Sequence, residues 1–275
     1  MKKGRIDTIR ETLGVEPGRK VKMSRLDPDD TMGFGGKEQA AAIIQKNLQR
    51  LFDLQFRLYA ENKHAVLIVL QAMDAGGKDG TIRHVMTGLN PQGCSVTSFK
   101  VPSAEEMDHD FLWRIHKAVP PRGELGIFNR SHYEEVLVVR VHELVPKPVW
   151  STRYDQINAF EKHLTENNVT IVKFFLNISK DEQKKRIQAR IDDPQRNWKL
   201  APGDFEERKR WDDYMRAYED VLSRCSTPHA PWYAIPSNHK WFRNLAVSQI
   251  LIEILEGLKM KFPPPTMDVS KIKLV

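Results

Sequence analysis

One short segment constrains the fold more than any other, because an apolar run passes directly into a glycine-rich loop: VLIVLQAMDAGGKDGT, residues 66–81. The run from Val66 to Leu70 has the length and composition of a buried strand. Three glycines follow, and glycine adopts backbone angles that expose successive N–H groups to an anion. They are Gly76, Gly77 and Gly80. A strand followed by such a loop is typical of a phosphate-binding unit.

The other residues of the loop favour the same function. Lys78 supplies a positive charge, with Ala75 and Asp79 on either side of it in the loop. A helix predicted from Thr81 to Thr87 would point its positive N-terminal end at the same phosphates. The segment therefore predicts a strand, a loop and a helix arranged around an anion.

The loop departs at two positions from the usual phosphate-binding pattern GxxxxGK[ST]. Ala72 stands where the first glycine belongs, and Asp79 stands where the magnesium-binding Ser or Thr belongs. Asp74 adds a carboxylate, which suits a site that holds Mg²⁺ or orients a reacting oxygen. Two alternatives stay open: the glycines serve only the geometry of the turn, or Asp74 makes an Asx turn or a helix cap.

Composition limits the class of protein and its partners. The chain has 275 residues, enough for a well-buried α/β domain, and we favour one domain with an insertion. Its net charge of +7 favours polyanions such as nucleotides, nucleic acid or inorganic phosphate chains. Two isolated cysteines, Cys94 and Cys225, indicate a reducing compartment. Because no apolar leader or membrane-spanning run is visible, we expect a soluble, cytoplasmic protein with no membrane partner.

Further strands and helices alternate along the chain. This alternation favours a parallel sheet covered on both faces, with ligands gathered beyond the carboxyl ends of the strands. The further strands are predicted at residues 96–99, 124–128, 170–176 and 232–235. The helices are predicted at residues 37–59, 111–119 and about 132–144.

The N-terminal part of the chain differs in composition from the rest. Residues 1–35 are polar, basic and rich in turn residues, so we expect an N-terminal extension without a core of its own. Its cations could cover an anion site, but we favour a solvated role for them. They are Arg19, Lys20, Lys22 and Arg25. Residues 36–275 are predicted to form a single domain.

A charged stretch at residues 180–224 is predicted to form a helical lid, broken into two helices by Pro194, Pro202 and Gly203. Arg186 and Arg190 are one helical turn apart and so share a face, where two guanidinium groups could grip a phosphate chain. That arrangement is typical of a lid that closes over substrate. Lys199, beside Trp198, is a further candidate phosphate contact, although a solvated lysine is the open alternative.

Four motifs in this order closely resemble the polyphosphate kinase 2 family. The similarity runs from about Gly18 to about Tyr233 and on into the last helix. The motifs are QAMDAGGKDGTI, SFKVPSAEEMDHDFLWRIHKAVPPRGELGIFNRSHYEEVLVVRV, FFLNISKDEQKKRIQARIDDPQRNWK and HAPWYAIPSNHKWFRNLAVSQI.

The resemblance implies an α/β fold of the P-loop kinase type, similar to thymidylate kinase: a three-layer αβα sandwich with a parallel sheet and a helical lid at residues 180–224. It also implies a Mg²⁺-dependent, reversible phosphoryl transfer between inorganic polyphosphate and adenine nucleotides, with guanine nucleotides as alternatives. A homo-oligomer is implied as well.

The resemblance assigns roles to individual residues. Asp74, Lys78 and Gly80 match the family's Walker A loop, and Arg130 matches the arginine of its Walker B block, FxRSxY. Many relatives place an aspartate before that arginine, whereas this chain has Asn129. The combination FNRSHYE resembles the subgroup called class III, which is associated with phosphorylating both AMP and ADP. The substitution puts a two-aspartate metal site in doubt.

The resulting site is as follows. The expected catalytic residues are Asp74, Lys78, Arg130, Arg186 and Arg190. The expected nucleotide- or phosphate-binding residues are Ala75, Gly76, Gly77, Asp79, Gly80, Thr81, Asn129 and Lys199. The expected metal ligands are Asp74 and, one helical turn beyond Arg130, Glu134.

Two other functions remain open from the residues themselves. The loop and lid alone would permit an ATP-dependent nucleoside monophosphate kinase. The basic surface would permit a non-catalytic protein that binds polyanions. No helix-turn-helix, zinc-finger or RNP-type signature is present, so no nucleic-acid partner is expected.

Overall fold

The computed structural model describes residues 6–272, and a parallel sheet forms the centre of that part of the chain. The strands are β1 (Ala65–Gln71), β2 (Cys94–Ser98), β3 (Leu125–Asn129), β4 (Val169–Asn177) and β5 (Trp232–Pro236). Their order is β2-β3-β1-β4-β5, and each neighbouring pair is parallel. Every residue of β1 is buried, which explains why its apolar run is continuous rather than alternating.

Helices connect and cover the strands. They are α1 (Ile9–Leu13), α2 (Lys37–Glu61), α3 (Lys78–Val85), α4 (Ala104–Met107), α5 (Trp113–Lys117), α6 (Val138–Val141), α7 (Lys147–Glu166), α8 (Lys180–Ile191), α9 (Pro202–Lys209), α10 (Trp211–Cys225) and α11 (Lys240–Gly257). Short 3₁₀ helices occur at Met23–Arg25, Pro91–Gly93, His132–Val136, Asn197–Lys199 and Val269–Lys271. None of the helices within residues 6–272 combines the length and the hydropathy needed to span a membrane.

Two hydrophobic cores lie on opposite faces of the sheet. Alternate residues of β1 point to opposite faces, so Ile68 joins one core and Val69 joins the other. The first core includes side chains of α2 and α11, such as Leu54 and Leu251. The second includes side chains of α7 and α10. The predicted α/β class, with helices on both faces of a parallel sheet, is therefore confirmed.

The N-terminal segment packs on this domain instead of standing apart from it. Ile9 and Phe34 are buried in the first core, and Val15 donates a backbone hydrogen bond to Trp232 in β5. Its cations are exposed: Arg19, Lys20, Lys22 and Arg25. Residues 1–5 of the predicted extension and residues 273–275 of the predicted domain lie outside the described part of the chain. The boundary at residue 35 stays a prediction.

Several helix boundaries differ from the prediction. α3 begins at Lys78 rather than Thr81, because Gly77 is already at the helix cap. The helix predicted over residues 132–144 divides at Leu137, whose φ of −108° and ψ of −85° are not helical. The predicted two-helix lid contains α8, α9 and α10, since Arg210 breaks the chain between the second and third helices.

Candidate active site

The glycine-rich loop lies beyond the carboxyl end of β1, where it turns the chain into α3. Gly77 has a φ of 108°, which favours glycine, and Ala75 has a φ of 59°. A Cβ atom on Gly76 would lie 2.5 Å from the Cβ of Ala72. The loop therefore needs glycine at both positions for geometric reasons, and its function must be judged from the side chains around it.

Lys78 bends back over the loop from the first position of α3. Its Nζ atom donates a 2.9 Å hydrogen bond to the carbonyl oxygen of Ala72, and the residue is only 9% exposed. Burial lowers the pKa of the Lys78 ammonium, and the positive charge of Arg130 lowers it further. The negative charges of Asp74 and Glu134 act in the opposite direction. The loop thus holds a partly desolvated cation.

Arg130 links the two candidate carboxylates. It follows β3, and its Nη2 atom donates a 2.9 Å hydrogen bond to Oδ1 of Asp74. Its Nη1 atom lies 3.6 Å from Oε2 of Glu134. Burial alone would lower the pKa of the guanidinium, but Glu134 and Asp74 together raise it. Burial raises the pKa of Glu134, while the charges of Arg130 and Lys78 oppose that shift.

A side-chain hydrogen bond joins the end of β3 to the first turn of α3. Asn129 donates a 2.8 Å hydrogen bond from Nδ2 to Oδ1 of Asp79. Thr81 is buried, and its hydroxyl donates to the carbonyl oxygen of Gly77 at 3.1 Å. Asp79, Asn129 and Thr81 therefore stabilise the start of the helix in this structure. Gly80 lies against Arg243: a Cβ atom on Gly80 would be 3.3 Å from Nη2 of Arg243.

Arg186 lies against the loop rather than projecting from the lid. Its Nη1 atom donates to the carbonyl oxygens of Ala75 and Gly76 at 3.1 and 3.0 Å. Its Nη2 atom donates to the carbonyl oxygens of Ser237 and Asn238, and Nε donates to Glu182. The guanidinium is buried and its donors are used, so the geometry indicates a residue that positions the loop.

Arg190 lies one turn further along α8 and has a different environment. Its Nη1 atom is 3.7 Å from Oδ2 of Asp204, and a quarter of its side chain is exposed. Burial raises the pKa of Asp204, with the charge of Asp74 as the next cause, so this part of the lid faces the loop. Lys199 is exposed and lies over Trp198, with 5.1 Å from Nζ to the ring centroid. The structure does not bring Lys199 to the cluster.

Arg243 also lies against the loop, and the sequence analysis did not identify it as a candidate. It is only 2% exposed in α11, and a Cβ atom on Gly77 would lie 2.1 Å from its Nη1 atom. Burial and the nearby charge of Arg186 lower the pKa of Arg243 to about 10. An arginine in a helix that is otherwise largely apolar was the available signal. Gln183, which donates to the backbone oxygen of Asp74 at 3.0 Å, was missed as well.

The arrangement suits the transfer of a phosphoryl group. Lys78, Arg130 and the loop N–H groups can neutralise phosphate oxygens, while Asp74 and Glu134 supply oxygen ligands for a divalent cation. Such transfer needs little covalent work from the protein, because its transition state mainly requires alignment and charge neutralisation.

Comparisons with known proteins agree with this interpretation. A family model described as "Polyphosphate kinase 2 (PPK2)" matches residues 36–263. The chain is 53% identical to an "AMP/ADP-polyphosphate phosphotransferase" of Meiothermus ruber, over 94% of this chain and 97% of that one. It is 51% identical to an "ADP-polyphosphate phosphotransferase" of Rhodopseudomonas palustris, over 92% and 91% of the two chains. The crystal structure of polyphosphate kinase 2 from Arthrobacter aurescens superposes with a TM-score of 0.91, at 45% identity, over 95% of this chain and 94% of that one.

Proposed function

Since the chain belongs to the polyphosphate kinase 2 family, we propose that it transfers a phosphoryl group reversibly between inorganic polyphosphate and both AMP and ADP. It is a polyphosphate-dependent nucleotide kinase with a P-loop kinase fold, as the sequence predicted. The printed name of the Meiothermus relative supports the choice of both acceptors. The single observation that supports the site is the convergence of Lys78, Arg130 and Asp74 at the loop.

In this proposal the charged groups have distinct roles. Lys78 and the loop N–H groups hold the transferring phosphoryl group. Arg130 neutralises the charge on its oxygens from the end of β3. Asp74 orients the reacting phosphate, and no strong general base is required because a nucleotide phosphate is already an anionic nucleophile. Arg186 acts indirectly, by holding the loop backbone in place, and Arg243 packs against Gly77 and Gly80 beside it.

Asp74 and Glu134 are the residues that would hold Mg²⁺. Oxygen ligands suit this ion, which usually takes one or two carboxylates together with phosphates and water. That preference fits the two carboxylates at this site, which both contact Arg130. When bound, the ion would neutralise phosphate charge. Arg130, which contacts both carboxylates, would keep them aligned beside it.

Asp74→Asn is expected to lower turnover and to raise the Mg²⁺ concentration needed for half-maximal activity by at least about tenfold. The amide keeps the shape of the side chain but removes the charge that attracts the cation. The measurement is the initial rate over a series of Mg²⁺ concentrations. The control is Asp53→Asn on the exposed face of α2, whose metal requirement should match the wild type. An unchanged requirement in Asp74→Asn would exclude the residue as a ligand.

Arg190→Ala is expected to raise KM for polyphosphate about tenfold, through the loss of one charge-assisted contact, and to leave KM for the nucleotide nearly unchanged. The two constants are measured by varying each substrate in turn. Arg216→Ala is the matched control, since Arg216 is an exposed arginine on α10. An effect confined to the nucleotide would contradict the lid role of Arg190.

One assay tests the proposed function as a whole. The protein is incubated with polyphosphate, Mg²⁺ and either AMP or ADP in the absence of ATP, and higher nucleotides are separated and quantified. We expect ADP and ATP from AMP, and ATP from ADP. Product from ADP alone would restrict the acceptor to ADP. Product that appears only when ATP is supplied would indicate an ordinary nucleoside monophosphate kinase. No product either with or without ATP would indicate a polyanion-binding protein.

Several finer expectations remain predictions: the use of guanine nucleotides, a homo-oligomeric state, a cytoplasmic location and the lack of a nucleic-acid partner. The first is tested by repeating the assay with GMP and GDP, and the second by light scattering of the purified protein.

A further inference from the structure

A fully buried ion pair lies in the core behind the candidate site. Lys173 is in the middle of β4, and Glu161 is on α7; neither side chain is exposed. The distance from Nζ of Lys173 to Oε2 of Glu161 is 2.5 Å. Burial on its own would raise the pKa of Glu161, but Lys173 and His132 together lower it, which favours the ionised carboxylate. Burial lowers the pKa of Lys173, and Glu161 opposes that shift, so each group favours the charged form of the other in a fully buried site.

The pair also bonds to residues 132 and 133, and to the backbone at the end of α10. Lys173 also donates from Nζ to the hydroxyl of Tyr133 at 2.8 Å and to the carbonyl oxygen of Cys225 at 2.7 Å. The other oxygen of Glu161 accepts from the Tyr133 hydroxyl at 2.8 Å and contacts Nε2 of His132 at 3.1 Å. We call His132 and Tyr133 the tethered residues; both are almost completely buried.

The tethered residues lie between two members of the candidate site. Arg130 precedes them and Glu134 follows them, and both face Asp74 or Lys78. Arg130 has a φ of 64°, in the left-handed region that non-glycine residues avoid, and such a residue keeps this conformation only where its surroundings impose it. The N–H of Arg130 donates to the carbonyl oxygen of Leu70 at 3.1 Å, and the contacts at residues 132 and 133 hold the segment that follows it.

Stability alone gives a weak reason for such a pair. Removing two charges from water is costly, and well-packed apolar residues of similar size commonly stabilise a core equally well or better. An ionic pair does something that apolar residues cannot: it fixes the Tyr133 hydroxyl in one position by donating to it and accepting from it at the same time.

We propose that Glu161 and Lys173 are positioning residues for phosphoryl transfer. Through the Tyr133 hydroxyl and the His132 ring they hold the segment that aims Arg130 and Glu134 at the loop. The inference rests on the proposed function of Arg130. It extends that function to a buried pair that touches neither substrate nor metal.

Tyr133→Phe tests the tether, because it removes one hydroxyl and leaves the Glu161–Lys173 pair intact. We expect kcat to fall roughly ten- to hundredfold, as for other residues that orient a reacting group, with little change in KM for the nucleotide. Tyr154→Phe is the matched control. Tyr154 is also fully buried, and its hydroxyl accepts a 2.9 Å hydrogen bond from Arg140, away from the loop. Both variants should melt at similar temperatures, but only Tyr133→Phe should slow turnover.

A double-mutant cycle with Arg130→Lys separates this inference from the function on which it rests. If Tyr133 acts through Arg130, then Tyr133→Phe should slow the wild type but cause little further loss in the Arg130→Lys background. A wild-type rate in Arg130→Lys alone would overturn the proposed role of Arg130. A slow Arg130→Lys combined with an unaffected Tyr133→Phe, or with two effects that multiply independently, would overturn the positioning role.

Substitutions of His132 test whether the effect is specific to Tyr133 or belongs to the tethered segment as a whole. His132→Leu removes the contact with Glu161 and should also slow turnover, whereas His132→Gln retains a donor near the place of Nε2 and should recover part of the rate. Equal rates in the two variants would contradict the inference.

Discussion

Lys78→Met is expected to lower kcat by about two to three powers of ten, the usual effect of removing a group that stabilises transition-state charge. The Nζ atom lies at the loop within a cluster of charges that includes Arg130 and Asp74. Methionine keeps most of the apolar length of lysine but brings no charge to the phosphoryl oxygens. Initial rates at saturating polyphosphate and nucleotide provide the measurement.

Stability should change in a different way. The lowered pKa of Lys78 means that the folded protein disfavours its charged form, so loss of the charge should leave the melting temperature unchanged or raise it. Lys46→Met, at an exposed position of α2, controls for the loss of a positive charge. If Lys78→Met melts like the wild type and also keeps the wild-type kcat, the proposed role of Lys78 is contradicted.

Glu161→Gln is expected to lower the free energy of unfolding by about 3–5 kcal/mol, because Lys173 would remain buried without an opposite charge. In a chain of this size the melting temperature should fall by roughly 6–15 °C. Chemical unfolding followed by fluorescence measures the first quantity, and calorimetry measures the second. A loss below about 1 kcal/mol would show that the pair is not ionised in the folded protein.

The double variant Glu161→Leu with Lys173→Met separates stability from positioning. An apolar pair of similar volume should restore most of the lost stability. It should not restore kcat, since the Tyr133 hydroxyl would have lost both of its charged partners. Recovery of both quantities would mean that the ion pair serves the core alone.

The layout of the sheet could be predicted because it follows from local sequence patterns. β1 is apolar along its length since both of its faces are covered, and its position in the centre of the sheet agrees with that pattern. The loop could be located because glycine spacing and a neighbouring lysine are short-range features. Helix boundaries could not be predicted in the same way: the split at Leu137 depends on one residue whose backbone angles no local pattern indicates.

The division of tasks among the arginines could not be predicted. Helical spacing correctly placed Arg186 and Arg190 on neighbouring turns of α8, but packing decides which of them meets the loop carbonyls. Arg243 reaches the loop from more than 160 residues away in the sequence. Lys173 did leave a signal, since a lone lysine in an apolar strand requires a buried partner, but Glu161 could not be identified from spacing.

The contacts of Arg186 affect how much of the lid a bound substrate still has to order. They fasten α8 to the loop, and Arg208 at the far end of α9 donates to the backbone of Lys180 and to Gln183 at the start of α8. Between these anchors lies the tip of the lid, residues 192–201, which is mostly exposed and bonds mainly within itself and to the end of α8. The conformational freedom of the two anchored helices is therefore lost during folding rather than on binding, which lowers the ordering cost that a bound polymer has to meet.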